Sequence, residues 1–124
     1  MIGKRILKFE SLDSTNDYVK QHLNSLEHGT IVIANQQIKG RGRFGNSWMS
    51  ETGNLYLSIL IKNKEYKDNI FDLHILTSMV LVDLLKSYDI EAKIKYPNDI
   101  IVKGRKISGI LVETVGYITS INVI

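Results

Sequence analysis

The sequence predicts an α+β domain in which a mixed or antiparallel β-sheet packs against helices. Three observations support this prediction. The segment Phe71–Ser87 is apolar on most sides over a length typical of a buried helix. The segment Leu55–Ile61 carries apolar side chains at alternating positions and predicts a largely buried strand. From residue 92 onwards, short apolar runs separated by turn residues predict a β-meander.

The first part of the chain predicts a strand, a helix and a second strand. Lys4–Phe9 is typical of a short strand. Ser14 is a favoured helix N-cap residue, and Asp17 three positions later completes a weak capping box. Apolar residues at helical spacing then predict a helix to about Leu26. Thr30–Asn35, which is rich in β-branched residues, predicts the next strand.

The last part of the chain predicts four short strands joined by turns. Their ranges are Ala92–Lys95, Ile100–Val102, Lys106–Val115 and Ile118–Ile124, with turns at Pro97-Asn98-Asp99, Lys103-Gly104-Arg105 and Gly116-Tyr117. The final strand is still apolar at Ile124, and an unfinished apolar strand is expected to leave an exposed sheet edge. We therefore expect the chain to be part of a larger unit, and exposed edges would favour a homodimer.

Length and composition exclude several classes of protein. The 124 residues correspond to one domain, and 44% hydrophobic with 23% charged residues is ordinary globular composition. Cysteine is absent and the three histidines are scattered, which excludes disulfide frameworks and thiolate zinc sites. No apolar run approaches the roughly 20 residues of a membrane span. The N-terminus lacks the apolar core of a signal peptide, so the expected location is cytoplasmic.

The stretch Gln36–Asn54 contains four glycines and lacks periodicity, as functional loops often do. Its Gly40–Gly45 segment matches the letters G-x-G-x-x-G, but no helix opening follows, so a dinucleotide site is disfavoured. A short RNA-binding Arg/Gly segment and a flexible solvated loop remain alternatives. The functional interpretation is an anion-binding loop, because glycine lets backbone N–H groups approach an anion and arginine supplies bidentate charge.

Positive charge is concentrated in two places. The net charge is only +3, which does not by itself indicate a nucleic-acid partner. However, one cluster contains Lys39, Arg41 and Arg43, and a second contains Lys103, Arg105 and Lys106. Two such clusters in loops indicate a small anionic ligand at least as well as a nucleic-acid surface.

Other candidate residues are weaker when each is taken alone. Asn98 and Asp99 follow Pro97 in what could be an ordinary turn. Gly109 interrupts a strand, where glycine often marks the close approach of a ligand. Trp48 lies in a polar loop, where large aromatic side chains usually make contacts.

Five motifs in order make the chain resemble the catalytic domain of biotin protein ligases. They are Asp13-Ser14-Thr15-Asn16, Gln37-x-x-Gly40-Arg41-Gly42-Arg43-x-Gly45-x-x-Trp48, Asn54-Leu55-Tyr56-Leu57-Ser58, Lys95-Tyr96-Pro97-Asn98-Asp99 and Lys106-x-x-Gly109-Ile110-Leu111-Val112-Glu113. Tyr96 departs from the family, which usually has Trp there. The resemblance implies the catalytic fold that biotin ligases share with class II aminoacyl-tRNA synthetases.

The resemblance also implies a reaction. Such ligases join the biotin carboxylate to ATP, form biotinyl-5′-AMP with the help of Mg²⁺, and transfer biotin to a lysine of a biotin carboxyl carrier protein, an acetyl-CoA carboxylase subunit. It implies that Lys106 and Arg41 are the catalytic cations, since charge develops where the carboxylate meets the α-phosphate. No metal ligands are assigned by the resemblance.

Ligand-binding roles follow from the same resemblance. The biotin site would comprise Ser14, Thr15, Asn16, Gln37, Gly40, Arg41, Lys106, Gly109 and Leu111. The adenylate loop and its neighbours would comprise Arg41, Gly42, Arg43, Trp48, Asn98 and Asp99. Closure of the glycine-rich loop over the adenylate would exclude water.

The resemblance implies that residues 1–124 are the N-terminal portion of the catalytic domain. The chain begins at the first catalytic strand, so we expect neither an N-terminal DNA-binding domain nor DNA binding, and no C-terminal β-barrel. A truncated, inactive or biotin-binding-only fragment is an alternative function. A lipoate or octanoate ligase or transferase is another alternative, but its arginine-rich motif and His-Asp pair are not found.

Overall fold

The computed structural model describes residues 1–62, 70–97, 99–116 and 118–123, and its elements form one mixed sheet with two α-helices. The elements in chain order are β1 (Ile6–Leu12), α1 (Thr15–Gln21), β2 (Ile31–Gln37), β3 (Tyr56–Lys62), α2 (Ile70–Lys86), β4 (Lys93–Lys95), β5 (Asp99–Val102), β6 (Arg105–Val115) and β7 (Ile118–Val123). This architecture confirms the predicted α+β class with a mixed sheet.

The sheet has seven strands in the order β1-β2-β3-β7-β6-β5-β4. β1 and β2 are parallel because α1 crosses between them, and every other neighbouring pair is antiparallel. β7 lies between β3 and β6 and is paired on both sides, so the expectation that the last strand forms a sheet edge is wrong. The two edges are β1 and β4.

The sheet separates two hydrophobic cores, because alternate side chains of a strand point to opposite faces. On β3, Leu60 packs with Val19 of α1, whereas Ile61 packs with Leu73 of α2. On β6, Ile110 and Val112 face the α2 side. The predicted burial of the β3 segment is confirmed.

Helix α1 is shorter than predicted: it ends at Gln21, not near Leu26. The ring Nδ1 of His22 lies 2.8 Å from the carbonyl oxygen of Tyr18, and the chain then turns through Ser25. Local side-chain bonds of this kind compete with helical ones. Leu26 is nevertheless buried in the core beside α1. The apolar spacing therefore indicates burial at this position, although the residue is not helical.

Helix α2 lies where it was predicted, but the prediction that it is buried is wrong. Leu73 is buried, and the helix packs against β4, β5 and β6. On its remaining surface, five large apolar side chains are about half exposed: Phe71, Leu76, Met79, Val80 and Leu84. Helix α2 therefore carries more apolar side chains than the described part of the chain buries.

The remaining predicted elements agree within a few residues. The turn at Lys103-Gly104 is confirmed, and both residues have the positive φ angles that such tight hairpins require. Asn98, Tyr117 and Ile124, which were assigned to two turns and the last strand, lie outside the described residues. Among the helices described, none has the length and hydropathy needed to cross a bilayer.

Candidate functional site

The glycine-rich segment between β2 and β3 folds back on itself rather than being structureless. Isolated β-bridges join Gln37 to Ser50 and Arg41 to Ser47, and the N–H of Trp48 donates to the carbonyl of Gly40 at 2.8 Å. A short 3₁₀ turn at Arg43–Gly45 forms the tip. The segment is therefore a narrow hairpin with its own hydrogen bonds.

This hairpin forms one wall of a cleft of about 350 Å³, a size suited to a small ligand. Residues from three separate motifs line the cleft. The predicted site residues among them are Arg41, Gly42, Arg43, Trp48, Asp99, Lys106, Gly109 and Leu111. Tertiary structure thus brings together eight of the residues that sequence patterns assigned to the biotin and adenylate sites.

Lys106 is held at a fixed place in this cleft. Its Nζ lies 2.8 Å from Asp99 Oδ1 and 4.3 Å from the ring centroid of Trp48. Asp99 pairs with Gly109 across β5 and β6, and a Cβ on Gly109 would lie 3.4 Å from Lys106 Nζ. The absent side chain at Gly109 therefore leaves room for the lysine as well as for a ligand.

A buried polar network adjoins the cleft at the start of α1. Gln37 Oε1 accepts hydrogen bonds from the backbone N–H of Thr15 at 2.8 Å and from its hydroxyl at 3.2 Å. The Thr15 hydroxyl also contacts that of Ser58 at 2.8 Å, and Ser58 donates to Asn16 Oδ1 at 3.0 Å. Gln37 Nε2 donates to Ser50 in the hairpin. The network links α1, β2, β3 and the hairpin.

Three predicted biotin residues lie in this network, and their side chains are sealed from solvent. Thr15 and Asn16 are 0% exposed and Gln37 is 5% exposed. Ser14 is also buried, and its hydroxyl accepts from the N–H of Asp17, which confirms its N-cap role. Contact of these side chains with biotin remains a prediction.

Gly40, which the resemblance assigns to the biotin site, is not among the residues that line this cleft. A Cβ at this position would overlap Ser50 Oγ and lie 2.6 Å from the carbonyl oxygen of Trp48. Its close contact is therefore with the returning strand of the hairpin. Asn98, which the resemblance also assigns to the site, is outside the described residues.

Sequence reasoning missed Glu113 and Asp17 as site residues. Arg41 donates to the two carboxylate oxygens of Glu113 at 2.8 and 3.1 Å and to Asp17 Oδ1 at 2.6 Å. Lys20 Nζ lies 3.1 Å from Glu113 as well. A signal was present, since Glu113 is a charged residue directly after the apolar run Ile110–Val112, and such residues need partners when they are buried.

The charges in this cluster shift two pKa values. Burial opposes ionisation of Glu113, but hydrogen bonds from Arg41, Asn16 and Lys20 outweigh it and lower the pKa to about 2. The hydrogen bond to Glu113 raises the pKa of Arg41 against the opposing effect of burial, with a further contribution from Asp17. The pair is therefore fully charged throughout the neutral range.

The depressed pKa predicts how pH affects stability. Glu113 stabilises the fold fully above its ordinary pKa of 4.5, and this contribution is lost as the pH falls towards 2. Urea unfolding of the wild type and of Glu113→Gln between pH 3 and 7 measures it. The difference in free energy of unfolding should shrink below about pH 4.5. A difference that stays constant over this range would contradict the assignment.

The described residues could hold Mg²⁺ only through a single carboxylate together with substrate phosphates. Among the described residues, no group of three or more His, Cys, Asp or Glu side chains forms a metal cage. Asp99 Oδ1 is buried and has no aligned hydrogen-bond donor in the described part of the chain, so its attraction to Lys106 is electrostatic. Mg²⁺ commonly binds through one or two carboxylates plus substrate phosphates, and Asp99 fits that arrangement.

The fold and the cleft together define a class: an α+β domain with a small cleft lined by Arg41, Arg43, Lys106 and Asp99. The chain belongs to the Biotin/lipoate A/B protein ligase family, which matches residues 8–124. This membership confirms the resemblance drawn from the five motifs.

Individual relatives agree with this assignment. The bifunctional ligase/repressor BirA of Escherichia coli is 36% identical over 116 residues, which cover 92% of this chain and 36% of that protein. The biotin–[acetyl-CoA-carboxylase] ligase of Paracoccus denitrificans is 30% identical over 107 residues, covering 84% of this chain and 45% of that protein. The chain thus spans about a third to a half of their length.

A solved structure supports the fold. The biotin protein ligase from Aquifex aeolicus in complex with biotin and ATP superposes with a TM-score of 0.88 at 30% identity. The match covers 97% of this chain and 51% of that one. The predicted biotin ligase catalytic fold is therefore confirmed.

Proposed function

We propose that this chain carries the part of a biotin protein ligase that binds biotin and ATP and forms biotinyl-5′-AMP. The biotinyl group would then pass to a lysine of a biotin carboxyl carrier protein. One observation carries the proposal: eight residues from three sequence motifs converge on a single cleft. The relatives that bear biotin ligase names, and the similar structure that holds biotin and ATP, support it.

Lys106 is the group proposed to stabilise the first step. The biotin carboxylate attacks the α-phosphorus, an O–P bond forms, and pyrophosphate leaves with the electrons of the bond that breaks. Negative charge on two approaching anions opposes this step, so a fixed cation lowers its barrier. Asp99 and the Trp48 ring hold the Lys106 ammonium in the cleft before any ligand arrives, which reduces the reorganisation needed during reaction.

The hairpin is proposed to cover the adenylate. Arg43 and Gly42 lie on the wall formed by its tip, where backbone N–H groups and a guanidinium can contact phosphate. A cover at this position would exclude water, which otherwise hydrolyses the mixed anhydride. Trp48 at the returning strand would pack near the adenine.

Asp99 is the described residue proposed to contact Mg²⁺. When bound, Mg²⁺ would neutralise phosphate charge in the same cleft. The carboxylate of Asp99 would then be shared between Lys106 and the cation, which explains why it lies beside the lysine rather than in the sealed network.

Titration with biotin in the presence and absence of ATP and Mg²⁺ tests the proposal. Trp48 is the single tryptophan and lies in the cleft wall, so its fluorescence reports binding directly. We expect biotin to cause saturable quenching or a spectral shift of the Trp48 fluorescence. With ATP and Mg²⁺ present, biotinyl-5′-AMP should be detectable by mass spectrometry in a single turnover. Octanoate and lipoate serve as matched controls. Preferential formation of their adenylates, or no response to biotin, would overturn the proposal.

A further inference from the structure

Glu113 occupies the point where the sheet, α1 and the hairpin meet. It projects from β6 to the face opposite Val112, and its carboxylate accepts from Asn16 Nδ2 at 2.6 Å. The carboxylate also accepts two hydrogen bonds from Arg41 and lies next to the ammonium of Lys20. Glu113 is not among the residues that line the cleft. Its contacts therefore bind protein to protein.

Arg41 connects the carboxylate of Glu113 to the hairpin. The residue lies near the start of the hairpin, where a β-bridge joins it to Ser47. Its neighbour Gly40 accepts the N–H of Trp48, so the arginine and the tryptophan belong to one hydrogen-bonded unit. The Trp48 ring in turn contacts Lys106. Arg41 is thus connected through the hairpin to the tryptophan that contacts the lysine.

A second path runs from Glu113 to the other end of the hairpin. Asn16, which donates to Glu113, accepts from Ser58, and Ser58 contacts Thr15. Thr15 donates to Gln37, and Gln37 donates to the hydroxyl of Ser50. This path is formed by buried groups, which are costly to leave unpaired and so tend to hold one arrangement. Both ends of the hairpin are therefore connected to the same carboxylate.

We propose that Glu113 is a positioning residue that sets the hairpin over the cleft and thereby places Trp48 against Lys106. The role is indirect, since the carboxylate acts through Arg41 and Asn16. This inference rests on the proposed function only for its effect on ligand affinity, because the hairpin position can be measured without ligand. A bidentate ion pair fixes both the distance between two side chains and their relative orientation, whereas a single charge contact does not.

The experiment replaces Glu113 with Gln, which keeps the size of the side chain and removes its charge. Hydrogen exchange across Gly40–Ser50 and the emission maximum of Trp48 are measured in the free chain. We expect faster exchange in this segment and a red-shifted emission, with protection of β2 and β3 unchanged. Biotin affinity in the presence of ATP should fall about tenfold to a hundredfold.

Two further variants make the result specific. Glu10→Gln removes a carboxylate on β1 that bonds only with exposed Asn35 among the described residues, and it should change none of these readouts. Arg41→Lys keeps the positive charge but loses the bidentate contact, and it should reproduce the hairpin effects. It also decides the matter if Glu113→Gln fails to fold.

The outcomes separate the two proposals. Unchanged hairpin exchange and Trp48 emission in Glu113→Gln or Arg41→Lys would overturn the positioning role, whatever the chain binds. Altered hairpin readouts with no biotin binding in the wild type would support the positioning role and contradict the proposed function. Global loss of protection in Arg41→Lys, including β2 and β3, would show a purely structural role and overturn the inference.

Discussion

Lys106→Ala is expected to lower the rate of biotinyl-5′-AMP formation by about a hundredfold to a thousandfold, the effect of removing one group that stabilises developing charge. The side chain is 34% exposed, and it contacts Asp99 and the Trp48 ring. Its loss should therefore leave the fold in place. Biotin-dependent exchange of pyrophosphate into ATP, or single-turnover adenylate detection, measures the rate.

The matched control is Lys93→Ala. Lys93 is an exposed lysine on β4, away from the cleft-lining residues, so the same change in charge should leave the rate unaltered. Circular dichroism and urea unfolding of both variants separate loss of chemistry from loss of structure. Adenylate formation at the wild-type rate in Lys106→Ala would remove this residue from the mechanism.

Gly40→Ala is expected to have the largest effect on the structure of the hairpin. The new Cβ would overlap Ser50 Oγ and lie 2.6 Å from the carbonyl oxygen of Trp48, which is backbone and cannot rotate away. Overpacking of this kind costs about 1–3 kcal/mol. Urea unfolding should show the loss in stability, and the emission of Trp48 should shift as the hairpin separates.

Gly42→Ala provides the comparison for stability. Gly42 has a φ of −101°, which alanine readily adopts, and a Cβ there would have its nearest contact 3.7 Å away. Stability should therefore be unchanged or slightly higher, because alanine reduces the freedom of the unfolded chain. Equal destabilisation by the two substitutions would show that flexibility, rather than packing, explains the glycine at position 40.

Local elements were predictable because their signals lie close together in the sequence. The Ser14 cap and the hairpin turn at Lys103-Gly104 depend on residues a few positions apart. The end of α1 was missed because His22 bonds the chain in a competing local way. The exposure of α2 was missed because apolar composition does not say which surface is covered.

The candidate site, too, could be predicted from the sequence only in part. The residue types at Lys106, Arg41 and Trp48 indicated an anion site, and the structure places all three in one cleft. The packing of Gly40 could not be predicted because its close contact is with the backbone of Trp48, eight residues later. Glu113 was missed because its partners on α1 and the hairpin are 72 to 97 residues distant. No local pattern encodes such a pairing.

Sequence alone predicted the α+β class, the positions of most strands and the two clusters of basic residues. These follow from periodicity, turn chemistry and charge, which act over a few residues. Only the tertiary structure decided that β7 enters between β3 and β6, that α2 keeps an apolar surface, and that Arg41 is held by Glu113. Sheet order and partly buried ion pairs depend on long-range packing and hydrogen bonding, so the folded chain is needed to choose among the partners that the sequence allows.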